Sequence, residues 1–138
     1  MDIEERVQKA RKAHQEGYNC TQAVICGYID LFEYPDEVIK MTYGTGGGIG
    51  LSREICGTLV GGAIVIGEKI GKKEPDAKHK KYVNDIVRKL CLEFESHHGS
   101  VVCGELLGIR ETTKTVKKTP CRDMVEEVVR LLEKYVIE

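Results

Sequence analysis

The sequence predicts an all-α domain: a bundle of five or six helices with one glycine-rich loop. Three observations predict it. Apolar residues recur at helical spacing through most of the chain. Capping residues and glycines bracket those runs. No segment reads convincingly as a strand. The chain has 138 residues, which suits one domain over residues 1–138 with a core of reasonable size. It is 41% hydrophobic and 31% charged, the balance of a globular chain and not a disordered one. With no Trp and only two Phe, the core must rest on Val, Ile, Leu and Ala.

The elements follow in order. Asp2 opens the first helix, with Glu5 at capping-box spacing. Ile3, Val7, Ala10 and His14 form its inner stripe, and Gly17 ends it. Asn19 caps a second helix, with Gln22 completing another box, and this helix runs towards Tyr34 before Pro35. A short helix spans Pro35 to Tyr43. The stretch GTGGGIG, Gly44 to Gly50, is the most flexible in the chain. Ser52 begins the next helix, which reaches Gly71. A polar loop, Gly71 to His79, precedes a long helix ending near His97, with Val83, Ile86, Val87, Leu90 and Phe94 on its apolar stripe. Ser100 starts a brief turn through Leu107, and a Thr- and Lys-rich connection follows. Thr119 then caps the last helix, with Pro120 at the favoured first position and Val125, Val128, Val129 and Leu132 facing the core.

Several function classes are excluded at this level. A formal net charge of −1 gives no basis for binding nucleic acid. The most apolar run, Ile55 to Ile66, is short and broken by glycines, so no membrane insertion is expected. The N-terminus is charged and amphipathic, unlike a secretory signal, and a cytoplasmic location is expected. In such a compartment, several cysteines point to metal or redox chemistry more than to static disulfides.

Six cysteines are present, and four fall where helices are predicted to begin. Cys20 follows Asn19, Cys56 follows Ser52, Cys103 follows Ser100 and Cys121 follows Thr119. A helix start offers unpaired N–H groups and partial positive charge, which favours the thiolate. Cys26 and Cys91 read as mid-helix packing residues. Cys20 and Cys26, on one helix, are too far apart to bridge. No CxxC is present, so a shared site has to assemble from four separate helix starts. It could ligate an iron–sulfur cluster, hold zinc or another soft metal, or cycle between dithiol and disulfide.

The segments EGYNCTQAV, GTGGGIGLSREICGTLVGGAIVIG, HGSVVCGELLG and TPCRDMV together resemble the C_GCAxxG_C_C family of redox-active proteins. The resemblance runs from Gly17 to about Val129. It implies that Cys20, Cys56, Cys103 and Cys121 are the signature cysteines, the same four that the helix starts select. One departure is visible: the chain reads CGTLVG where the family has CGAxxG, placing Thr58 in place of Ala.

The glycine stretch lacks the Lys of a phosphate-binding loop, and it follows a helix where a dinucleotide fingerprint would follow a strand. Its expected purpose is to let backbone pass close to Cys56, so Gly47, Gly48 and Gly57 are candidate cofactor contacts. Gly57, Gly61 and Gly62 inside a predicted helix point to close packing of another backbone. His97 and His98 are candidates for a metal ligand or a base, against the plainer role of closing a helix C-terminus. A redox partner protein and a homodimer are the expected kinds of partner.

Overall fold

The computed structural model describes residues 1–136, and it contains seven α-helices and no strand among them. They are α1 (Ile3–Gln15), α2 (Cys20–Gly27), α3 (Pro35–Met41), α4 (Gly57–Ile70), α5 (Ala77–His98), α6 (Cys103–Leu106) and α7 (Cys121–Val136), with one 3-10 turn at Ile29–Leu31. Seven exceeds the five or six expected. The surplus element is α6, a single turn of helix where only a brief turn was foreseen.

The capping boxes form as the sequence predicts. Asp2 and Glu5 bond each other's backbone N–H at the start of α1, and Asn19 and Gln22 do the same for α2. Each satisfies two donors that a helix start otherwise leaves unpaired. Asp76 caps α5 by accepting from His79 N at 2.9 Å, and Gly99 ends it in the left-handed region.

α2 lies against α1, α4 and α7, and α4 also packs on α5. Val24, Ile25 and Tyr28 meet Leu59, Ile66, Leu90, Phe94, Val128, Val129 and Leu132 in one continuous core. Each such fully buried side chain stabilises by roughly 1.5–3 kcal/mol. The predicted stripe of α7 is buried throughout, whereas on α5 only Leu90 and Phe94 are fully buried. Val83, Ile86 and Val87 are only partly buried, packed against the edge of that core.

Five boundaries differ from expectation: α3 ends at Met41, not Tyr43, α5 begins at Ala77, inside the loop expected to reach His79, and three others have clear causes. α2 stops at Gly27, not near Tyr34. A Cβ on Gly27 would sit 3.1 Å from Arg6 O and 3.4 Å from Ala10 Cβ, so α1 crosses here at close range. The buried Arg6 then closes the helix end. Its Nη1 donates to Gly27 O at 3.1 Å, its two terminal nitrogens reach Asp30, and its guanidinium lies 4.4 Å over the Tyr28 ring. α4 begins at Gly57, not at Ser52: Arg53 has φ +64°, which cannot enter a right-handed helix, and Ser52 Oγ donates back to Gly48 O and Ile49 O. At α7, Pro120 stands one residue before the helix, and Thr119 Oγ1 donates to Lys117 O.

The glycine-rich segment is a strained turn and not a slack linker. Gly47, Gly48, Ile49, Gly50 and Leu51 all have φ between 56° and 72°. Backbone bonds tie it down, among them Arg53 N to Gly47 O at 2.9 Å and Glu54 N to Gly48 O at 3.0 Å. For Ile49, β-branched and in the left-handed region, the conformation costs about 1–2 kcal/mol. Ile49→Gly is therefore expected to raise stability by about 0.5–1 kcal/mol after the greater chain entropy of glycine is subtracted. Denaturant unfolding measures this, and a clear loss of stability would show that the turn is not left-handed.

Candidate functional site

Three local devices carry the four motif cysteines to one end of the bundle. The first is a single antiparallel bridge between Ile55 and Val102. Around it Cys56 N donates to Val101 O at 2.8 Å and Cys103 N donates to Glu54 O at 2.5 Å. The residues that begin α4 and α6 are thereby clasped side by side. The second is the glycine face of α4. Thr21 Oγ1 donates to Gly57 O at 2.9 Å, and a Cβ on Gly57 would lie only 2.4 Å from Cys20 Sγ. On the next turn, a Cβ on Gly61 would lie 2.7 Å from Thr21 O. α2 can lie this close to α4 only because these positions lack side chains. The third device fixes Cys121: Thr119 N donates to Leu106 O, and Thr119 Oγ1 bonds His98 Nδ1 at 3.1 Å.

The outcome is a cluster in which Cys20 and Cys103 each lie within electrostatic reach of the other three motif cysteines. The remaining two cysteines stand elsewhere. Cys26 is influenced by Lys9 and Glu16, and Cys91 by Glu95. The division of six cysteines into four and two, expected from sequence, has this spatial counterpart.

The helix-start argument for a lowered thiol pKa does not hold at Cys20, Cys56 or Cys121. Burial drives Cys56 up to about 12, against the opposing hydrogen bonds of Thr58. Burial likewise raises Cys20 and Cys121, although the N–H of Gly47 works in the other direction at Cys20. Only Cys20 sits as expected relative to its cap, Asn19; Cys56 is itself the residue before α4, Val102 precedes α6, and Pro120, not Thr119, stands directly before Cys121. The serine expected to cap near Cys103 has other work: Ser100 Oγ donates to Glu105 and accepts from Val102 N. α6 has four residues and so little dipole to offer.

Among the predicted glycines, Gly47 and Gly57 both touch Cys20, and Gly48 is folded against Arg53 and Glu54. The loop's closest pass is thus over Cys20 and its neighbour, with a Cβ on Gly46 placed 2.6 Å from Asn19 Cβ, and not over Cys56 as expected. His97 and His98 both bond Glu127, at 2.8 and 2.6 Å, and His98 is buried against the Phe94 ring.

Two site residues were not legible beforehand. Arg53 Nη1 donates to Cys103 Sγ at 3.8 Å and also weighs on Cys121, so negative charge developing on Cys103 faces a guanidinium. Thr58 is fully buried, with Oγ1 3.0 Å from Cys56 Sγ. Only Thr58 left a trace in the sequence, as the departure from the CGAxxG pattern. Among the described residues no three His, Cys, Asp or Glu side chains are placed to hold one metal ion.

A family model described as "Putative redox-active protein (C_GCAxxG_C_C)" matches residues 18–135. Comparison with curated proteins and with solved structures gives no match. Among the described residues, no helix is long and apolar enough to cross a membrane.

Proposed function

The chain belongs to the C_GCAxxG_C_C family, and from that premise we propose that Cys20, Cys56, Cys103 and Cys121 form a dithiol–disulfide exchange centre. The observation that carries this reading is their gathering at one end of the bundle from four different elements. Two thiols of the set give up two electrons and two protons to a partner disulfide, which leaves as two thiols. The protein keeps an internal disulfide, and the reverse exchange restores it. Arg53 supports the step by facing charge on Cys103, and Thr58 keeps the Cys56 sulfur hydrogen-bonded.

Raised thiol pKa values at Cys20, Cys56 and Cys121 make these thiols slow to react at neutral pH, since the thiolate is the nucleophile. The rate of disulfide formation is expected to climb as pH rises towards and beyond 9. The test counts free thiols after treatment with diamide and again after dithiothreitol, with disulfides mapped by mass spectrometry. The reading expects reversible loss of thiols in pairs drawn from the motif set. Cys103→Ser should abolish most of that loss, whereas Cys26→Ser should leave it intact. Equal effects of the two substitutions, or irreversible oxidation alone, would overturn the reading.

A further inference from the structure

Beside Cys121, where the second half of α1 runs along the start of α7, lies a groove of about 370 Å³. Its wall consists of Arg11, His14, Gln15, Pro120, Cys121 and Arg122. This volume falls at the lower end of small-molecule sites, about 300–1,000 Å³. Two guanidinium groups line the groove and no carboxylate does. Arg11 is held in place by an ion pair with Glu126, while Arg122 is largely exposed and only loosely drawn to Asp123, at 3.9 Å. His14 is half-buried, and burial lowers its pKa, so near neutral pH it serves as an uncharged hydrogen-bonding group. The positive end of the 16-residue helix α7 adds to the same field. Access points to the same place. Cys56 and Cys103 are buried, whereas Cys20 and Cys121 are both partly exposed, and of these two it is Cys121 that stands on the groove wall.

Resting on the dithiol–disulfide reading above, we propose that this groove binds a small disulfide carrying carboxylates and that exchange with the cysteine set begins at Cys121. The Cys121 sulfur attacks one sulfur of the bound disulfide. The disulfide bond breaks, its electron pair passes to the departing sulfur, and that sulfur takes the thiol proton, leaving a mixed disulfide on Cys121. A second motif cysteine then attacks the Cys121 sulfur and expels the other half as a thiol. In total, one small disulfide is reduced to two thiols and two protein thiols are oxidised to one disulfide.

The experiment mixes the reduced full-length protein, without oxygen, with oxidised glutathione, hydroxyethyl disulfide or cystamine. These probes are negative, neutral and positive. Adducts are quenched by acid and mapped by mass spectrometry. The anionic probe is expected to react about tenfold faster than the cationic one at low ionic strength. That ratio should fall towards unity near 1 M salt, where the screening length is about 3 Å. The first adduct is expected on Cys121. Arg122→Glu should lower the anionic-to-cationic ratio about fivefold. Arg88→Glu, an exposed change on α5 with its ion pair to Asp85, serves as the control and should not alter the ratio. No charge preference, or a first adduct on Cys20, overturns the groove. If diamide still forms the internal disulfide in that case, the dithiol reading stands without it. If no oxidant forms an internal disulfide, both fall.

Discussion

Gly57→Ala is expected to disable the cysteine set more thoroughly than its size suggests. The added Cβ would lie 2.4 Å from Cys20 Sγ and 2.9 Å from Thr21 Oγ1. Neither atom has far to go. Thr21 Oγ1 is engaged with Gly57 O, and Cys20 Sγ lies between α4 and the Gly47 N–H. The start of α2 must therefore shift away, which costs about 1–3 kcal/mol as an overpacked contact. A displacement of about 1 Å between reacting groups can slow a reaction about 10²-fold, and internal disulfide formation involving Cys20 should fall by that order. Gly67→Ala is the matched control on the same helix. Nothing lies within 4 Å of its added Cβ, so stability should rise by up to about 1 kcal/mol through helix propensity, with exchange unchanged. Thermal unfolding and timed thiol counts on both variants check the pair. If Gly57→Ala exchanges at the wild-type rate, the close approach of α2 to α4 is not what positions Cys20.

Arg6→Leu is expected to be the most destabilising single change, at about 3 kcal/mol. One guanidinium serves the carbonyl at the end of α2, the Asp30 carboxylate and the face of Tyr28. The upper end of the usual cost for breaking a buried ion pair is not reached, because Asp30 is 38% exposed and can turn to water. The hydrogen bond from Arg6 holds the Asp30 carboxyl below its ordinary value. A depressed folded pKa gives stability that is complete above the unfolded value, about 3.9, and is lost as pH falls through the folded value. The stability gap between wild type and Arg6→Leu should therefore be constant from pH 7 down to about 5 and narrow below about 4. Unfolding curves from pH 2 to pH 7 measure it. A gap that widens in acid would mean the carboxylate is not the partner that matters.

Much of the fold is legible in the chain because its information is local. Asp2 with Glu5 and Asn19 with Gln22 bond within one turn of helix, so their spacing alone announces the starts of α1 and α2. The stripe through Val125, Val128, Val129 and Leu132 announces which face of α7 is covered, since helical periodicity fixes which residues share a side.

What partners lie across the bundle is not written in any local pattern. α2 ends at Gly27 because Arg6, 21 residues away, reaches its last carbonyl. α4 starts late because Ile55 first pairs with Val102. Arg53 reads as an ordinary residue of a helix's first turn until a left-handed turn aims it at Cys103. The thiols at Cys20, Cys56 and Cys121 show the difference most plainly. A helix start, readable from sequence, favours the thiolate by a fraction of a unit charge, whereas burial, which depends on every neighbouring element, penalises the same charge more. By itself the sequence determined that the chain is helical, that Asp2 and Asn19 cap α1 and α2, and which face of α7 is covered. Only the tertiary structure decided how closely the motif cysteines approach and how far burial raises Cys20, Cys56 and Cys121, because desolvation and contact across the core are sums over residues far apart in the chain.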